Sequence, residues 1–433
     1  MKSQPVKTTL RIPADSIRPG MFISRLDVDW SETPFPSQGF VVKSEGIKSQ
    51  LANYCRWVMV DLNRSDISSS MESLLGVTNG AVNSKNILKK NQNDMTTVKL
   101  AVLKRGEANY GPLDDYHEEA AKMRRLWSST QSALSDFFRR TKTQLEVDTD
   151  GLIQVTAQFH EVILSNPNAA LWFCHFESLQ NPFLTHAWRS AVFAVMFARS
   201  LNLEFHKTET LCRALCYSTL GIFLIKDKVA FFKNTQEQQQ KYLWEQTLKL
   251  VTRRMKDDRG VKTILGALHE RHDGSGYPRN LKSGHVPYYA RIASLAHYYA
   301  LLLDPWTVAA PALTSTEASS HLYGLQDKNF HGELILEFIQ CMGSYPTGSI
   351  VYLTDGGIAA VLEQKDKYRL HPKLVKVTDE EHRVYKKPQI LDLNLKKSQL
   401  KGSIPRIQKH VDPSELKIDR NRLKLQIARA YKP

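Results

Sequence analysis

The 433-residue chain is expected to be a multidomain α+β protein. It should combine a small N-terminal α/β module, an all-α helical bundle and a small C-terminal β module with a basic tail. Three observations carry that expectation. Short β-branched and aromatic runs, punctuated by turn residues, occur near both ends of the chain. The middle holds long stretches with apolar residues at helical spacing. The length allows two to four domains. A hydrophobic content of 42% and a charged content of 24% exclude a wholly disordered chain. No apolar run approaches the ~18 residues of a spanning helix, and MKSQPVKTTLRIP at the start lacks the apolar core of a secretory signal. The five cysteines, Cys55, Cys174, Cys212, Cys216 and Cys341, are odd in number and sparse. They fit a reducing, cytoplasmic compartment rather than a disulfide framework.

Residues 1–62 form the first module. Thr9–Ile12 and Met21–Leu26 read as strands separated by a turn at Arg18-Pro19-Gly20. Gly39–Lys43 and Trp57–Asp61 add two more, with a helix-like segment at Ile47–Cys55 between them. Residues 63–112 are rich in Ser, Asn and Lys and read as a polar linker. Residues 113–343 are helical. Met123, Leu126, Trp127, Leu134 and Phe137 recur at helix spacing within Tyr116–Phe138. Asn181-Pro182 precedes an apolar helix containing Val192, Val195 and Phe197, and Leu211–Leu220 and Ala290–Leu303 continue the bundle. Residues 344–385 form a β module. In it Ser349–Leu353 and Ile358–Leu362 flank the turn Thr354-Asp355-Gly356-Gly357, with Leu374–Val377 as a third strand. Residues 386–433 read as a basic tail. The net charge is +15, and Lys365–Pro433 alone carries 19 Lys and Arg against 8 Asp and Glu. The plain reading of that excess is a solvated extension. The alternative is a nucleic-acid or membrane-surface binder, with nucleic acid the less favoured partner.

The most specific string is His269-Glu270-Arg271-His272-Asp273-Gly274-Ser275-Gly276-Tyr277-Pro278. It joins a helix end with imidazoles and carboxylates to a glycine-rich loop, and such side chains bind divalent metals. It is not the zinc-protease pattern, because the imidazoles stand at i and i+3 rather than i and i+4. The string closely resembles the signature of the HD-GYP family. These are bacterial hydrolases of the HD superfamily that cleave cyclic dinucleotides, chiefly cyclic di-GMP. The resemblance continues through Leu281-Lys282-Ser283-Gly284, Val286-Pro287 and Ala290-Arg291-Ile292. Upstream, Arg18-Pro19-Gly20-Met21, Asp29-Trp30, Pro34-Phe35 and Gly39-Phe40 resemble a small domain of unknown function often found before HD-GYP. Cys341–Val351 and the following hairpin resemble the C-terminal part of such proteins.

The resemblance implies an HD-type bundle holding two or three metal ions, usually iron or manganese, in a cage of His and Asp. The ions activate water and neutralise the phosphodiester. The early family histidine appears as His186. The His-Asp pair and lysine expected in His-Asp-Ile-Gly-Lys are replaced across Ser218-Thr219-Leu220-Gly221-Ile222, where only the glycine persists. No histidine occurs between Lys207 and Leu268, and Leu268 stands where the first of two adjacent signature histidines is expected. The family's Ala-Asp after Ala-Arg-Ile is Ala296-His297.

The degenerate positions are therefore Ser218, Thr219, Ile222, Leu268 and His297, and the residual family positions are His186, His269, Glu270, Asp273 and Arg291. Each residual position also has a structural reading: a bundle histidine at His186, a helix brace at His269 and Glu270, a turn at Asp273, and an ion pair between Arg291 and Asp273 or Glu270. Cys212 and Cys216 are expected in the core. Gly276-Tyr277-Pro278 is intact, and in the family this loop is associated with protein contacts, including diguanylate cyclase (GGDEF) domains. The leading expectation is a non-catalytic regulator, without a cofactor, that binds a GGDEF-type domain, another signalling protein or cyclic di-GMP. The alternative is a phosphodiesterase with an altered site, in which His186, His269 and His297 hold a divalent metal such as iron, manganese or zinc.

Overall fold

The computed structural model describes residues 9–28, 33, 35, 39–42, 45–61, 64–65, 103–142, 149–176, 181–254, 258–304, 312–364, 371–393 and 405–411. The sequence landmarks Asp29, Trp30 and Pro34, the central linker residues 66–102 and the terminal residues 412–433 lie outside that set. The chain divides into two compact units, Met1–Val102 and Leu103–Pro433. The expected class, α+β with a helical domain between two small antiparallel sheets, is the observed one.

In the first unit, β1 (Thr9–Pro13), β2 (Phe22–Leu26), β3 (Phe40–Val41) and β4 (Trp57–Asp61) form a sheet of order β1-β4-β2-β3, with α1 (Glu45–Tyr54) between the last two in sequence. Alternation decides the faces: Val58 and Val60 are fully buried while Trp57, Met59 and Asp61 are half-buried. The turn at Arg18–Gly20 closes with Met21 N–H donating to the Arg18 carbonyl at 3.3 Å, and Gly20 takes a φ of 95°.

The second unit begins with an extended strap rather than a free linker. Gly106 N–H donates to the Leu201 carbonyl at 2.9 Å and Ala108 N–H to the Asn202 carbonyl at 3.0 Å. The bundle follows as α2 (Tyr116–Lys142), α3 (Asp150–Ser165), α4 (Pro167–Phe176), α5 (Pro182–Ser200), α6 (Phe205–Tyr217), α7 (Lys228–Lys233), α8 (Gln236–Arg254), α9 (Arg259–Leu265), α10 (Tyr288–Leu303), α11 (Ser315–Gly324) and α12 (Gly332–Met342). Helix α5 is the central element. Asn181 caps it by accepting from Phe183 N–H at 2.9 Å, and Pro182 occupies its first turn. Its Ala187, Ala191, Val192, Phe193, Ala194, Val195, Phe197 and Ala198 are all fully buried, and the polar His186 and Ser190 are buried with them, so it is buried nearly all round and packs on α6 and α10. Cys212 and Cys216 lie in this core, as expected.

The C-terminal sheet contains β5 (Ile350–Leu353), β6 (Ile358–Glu363), β7 (Lys373–Thr378), β8 (Val384–Asp392) and β9 (Ile407–His410) in the antiparallel order β8-β7-β6-β5-β9. The hairpin turn falls at Thr354–Gly357, with Gly356 at a φ of 80°. One face buries Ile350, Ile358, Ala360 and Val375 with Trp172 of α4 packed against them, and the other buries Val351, Ala359, Val361 and Leu374. The sheet reaches beyond Lys386, where a tail was expected. Strand β8 lies at the edge, Pro388 falls in its irregular stretch, and Lys386 and Lys387 face water. An edge strand of that composition carries no apolar alternation to read. Strand β9 returns to pair with β5, and Val411 N–H donates to the Ile350 carbonyl at 2.9 Å.

Candidate functional site

Helices α5 and α10 and the turn after α9 bring His186, His297 and His269 together, although they are up to 111 positions apart in the chain. His186 Nε2 and His297 Nδ1 stand 3.1 Å apart, so one ring nitrogen donates and the other accepts. The His269 ring centroid lies 5.5 Å from that of His297. On its other side His269 stacks on Tyr277, with centroids 4.9 Å apart and planes 15° from parallel. Trp244 of α8 meets the Tyr277 ring edge-on at 5.3 Å, and its indole N–H donates to the Leu265 carbonyl at 2.7 Å. All three histidines are buried. Burial, followed by neighbouring positive charge, pushes His186 and His269 well below the usual imidazole range and His297 down to about 3. The fixed cations acting on the rings are Arg189 and Arg271. The layer is neutral at pH 7.

The positions opposite are spent on the backbone. Ser218 Oγ donates to the Leu215 carbonyl at 2.7 Å, and Thr219 Oγ1 donates to the Phe183 carbonyl at 2.9 Å. Gly221 persists for a packing reason: a Cβ there would run into the α8 backbone at Leu243 and Thr247. Ile222 joins Phe183, Ile225, Phe231 and Leu243 in a small apolar cluster. Leu268 belongs to the main core.

The signature loop is held by its own carboxylates. Buried Glu270 accepts from Arg279 N–H through Oε1 and from Leu281 N–H through Oε2, both at 2.9 Å. Asp273 accepts from Ser275 N–H at 2.8 Å, and the Ser275 hydrogen bonds hold its carboxyl below the usual range. Tyr277 N–H donates to the His269 carbonyl at 3.1 Å. A side chain at Gly276 would strike the backbone of His269–Arg271. Pro278 and Arg279 are exposed.

Arg291 pairs with neither carboxylate among the described residues. Its Nε donates to the Val286 carbonyl at 2.8 Å, and the side chain lines a small pocket with Glu270, His272, Ser283 and His331. Arg271 donates to Ser294 Oγ at 2.9 Å and lies over the Phe330 ring at 5.2 Å. Sequence reasoning missed the Tyr277–Trp244 closure and the role of Arg271. Both depend on contacts between distant segments that no local pattern encodes.

A two-metal cage needs anionic ligands facing the ions. The residues present do not fit one. The signature carboxylates hold backbone N–H groups, the former His-Asp position supplies two neutral hydroxyls turned to carbonyls, and of the two arginines that act on the rings Arg189 is paired with Asp304 at 2.7 Å while Arg271 is held by Ser294. Among the described residues, no group of three or more His, Cys, Asp or Glu side chains is arranged to hold a metal ion.

Comparison with known proteins agrees with this architecture. Residues 9–152 match DUF3391, a domain of unknown function, and residues 177–334 match the HD domain family. The chain is 22% identical over 396 residues to the cyclic di-GMP phosphodiesterase PA4108 of Pseudomonas aeruginosa, covering 88% of each protein. It is 24% identical over 194 residues to the cyclic di-GMP phosphodiesterase PdeB of Borreliella burgdorferi, covering 42% of this chain and 49% of that one. Against the solved structure of Bd1817, an HDG"Y"P protein from Bdellovibrio bacteriovorus, the TM-score is 0.41 at 14% identity, over 77% of this chain and 99% of that one. Among the described residues no helix is long and apolar enough to cross a membrane. The chain carries a DUF3391 domain followed by an HD domain, the arrangement expected from its resemblance to HD-GYP proteins.

Proposed function

We propose that this chain is a degenerate HD-GYP protein of bacterial cyclic di-GMP signalling that regulates by binding and does not hydrolyse. The observation that carries this reading is the commitment of the polar groups. Ser218, Thr219 and Glu270 each spend their side-chain oxygens on backbone, and Leu268 fills a ligand position with hydrocarbon. A buried oxygen already satisfied by backbone gains little by turning to an ion and leaves an orphaned group behind. The exposed Pro278-Arg279 tip of a firmly braced loop suits protein contact. The partner is a GGDEF-type domain or another signalling protein, with cyclic di-GMP as the small-molecule ligand. The protein acts in the cytoplasm and needs no cofactor.

The convergence of His186, His269 and His297 favours a second reading, a cyclic di-GMP phosphodiesterase with one ion on three imidazoles. The cationic neighbour Arg271 weighs against it. One experiment separates the two: incubation of the full chain with cyclic di-GMP and added manganese, iron or zinc, alongside calorimetry with the same dinucleotide. The proposal expects binding heat with cyclic di-GMP and no linear or mononucleotide product. Turnover that disappears in His269→Ala would overturn it in favour of the second reading.

A further inference from the structure

Helices α7 and α8 form a hairpin whose outer surface has no part in the histidine layer. Phe232 is 51% exposed and Tyr242 is 43% exposed. They flank the buried Phe231, with ring centroids 5.3 and 6.3 Å from it, so they belong to one patch. Lys228 stands one helical turn before Phe232 on the same face. Lys226 and Lys233 lie near the two ends of α7, Lys241 adjoins Tyr242, and Lys249 lies two turns beyond it. All five lysines are exposed, and none forms an ion pair among the described residues. Residues 226–254 hold seven Lys or Arg against three Asp or Glu. Phe232 also meets Phe183 at 6.1 Å and Lys241 lies over the Tyr277 ring at 5.8 Å, yet about half of each exposed ring still faces water.

We propose that this hairpin docks on an anionic lipid bilayer. A second copy of the chain is a poor occupant, because a two-fold contact would set lysines against lysines. A protein partner fits less well than lipid. Protein interfaces enrich arginine and deplete lysine, and the five charges grouped around these rings are all lysine. Lysine is a flexible, strongly hydrated point charge without a directional fork. Projecting aromatic rings with snorkelling lysines match a fluid headgroup layer, where the rings enter the acyl boundary and the ammonium groups meet phosphates. This inference stands whether or not the chain cleaves cyclic di-GMP.

The test is flotation of the full chain with phosphatidylcholine vesicles, with and without about one-third phosphatidylglycerol, at ~0.1 M salt. Binding is expected only to the anionic vesicles. Phe232→Ser with Tyr242→Ser should weaken partitioning about tenfold or more, as should Lys228→Glu with Lys233→Glu. Lys386→Glu with Lys387→Glu, on the C-terminal sheet, should change it less than about twofold. The targeted side chains are exposed, so thermal melts of the variants should match the parent. If a serine variant melts early, Phe232→Gln with Tyr242→Gln replaces it. Failure to float with anionic vesicles would overturn the proposal and leave an acidic protein surface as the occupant. So would a loss confined to the Lys386 and Lys387 variant.

Discussion

On the α6 side of the site, Ser218 and Thr219 point their hydroxyls at carbonyls, and Ile222 packs into an apolar cluster. On the loop side, Glu270 grips two backbone N–H groups, Asp273 ties the turn, and Gly276 admits the close approach of the His269 carbonyl. The family's pattern is absent from the first side and present on the second. The contrast separates two kinds of residue within one motif. A side chain whose task is to face an ion or substrate can be replaced without harm to the bundle. One that holds backbone cannot, because its loss strands buried N–H groups. A signature string kept from His269 onward therefore reports an intact loop and says nothing of an intact reaction.

The largest effect should come from acid. The three buried imidazoles have folded pKa values below their unfolded value of about 6.5, with His297 at about 3. Above pH ~6.5 the rings are neutral in both states and the stability is fully present. As pH falls below that, the unfolded chain takes up protons first, and each ring costs about 1.4 kcal/mol per pH unit until its folded pKa is reached. These three rings should take on the order of 5 kcal/mol from the stability measured by urea unfolding between pH 7 and 5. His160 and His175, pushed down by burial to about 4 and about 3, add to the slope, so His297→Gln should flatten it by about one-fifth. A level profile would mean that the rings are wet and that the two sides do not differ as described.

Next in size is Glu270→Gln. It leaves one neutral acceptor oxygen and sets an NH2 group against the other of two part-buried N–H groups, and should cost about 3 kcal/mol in denaturant unfolding. Loss of protection at the amides of Arg279 and Leu281 in hydrogen exchange is the accompanying sign. A neutral outcome would place the brace of the loop elsewhere. Thr219→Val breaks the hydrogen bond to the Phe183 carbonyl and should cost about 1 kcal/mol. The smallest effect belongs to Asp273→Ala at an exposed turn, about 0.5 kcal/mol by the same unfolding measurement. An order in which Thr219 outweighs Glu270 would invert the comparison.

Much of this was legible in the chain itself. Asn181-Pro182 marked the start of the central helix, Thr354–Gly357 marked a hairpin, and the string His269–Pro278 marked the family. Those features are local, and their chemistry is set by a few adjacent residues. Strands β8 and β9 were hidden because edge strands rich in lysine lack alternation. The strap at residues 103–110 read as linker because its partners, Leu201 and Asn202, lie about ninety positions away. In the site, residue types at family positions identified which ligands are missing. They did not reveal that Gly221 persists to admit α8, or that Tyr277 stacks on His269 beneath Trp244. Those are packing facts between segments distant in sequence.

The most direct test of the central claim is the metal content of the full chain. It would be purified from cells supplied with iron, manganese and zinc and measured by elemental analysis. The account predicts less than about 0.1 metal ion per chain, unchanged in His186→Ala and His297→Ala, because the oxygen donors are turned to backbone and no carboxylate faces the imidazoles among the described residues. One or more tightly held ions per chain, lost in those variants, would contradict it and make the histidine layer a working metal site.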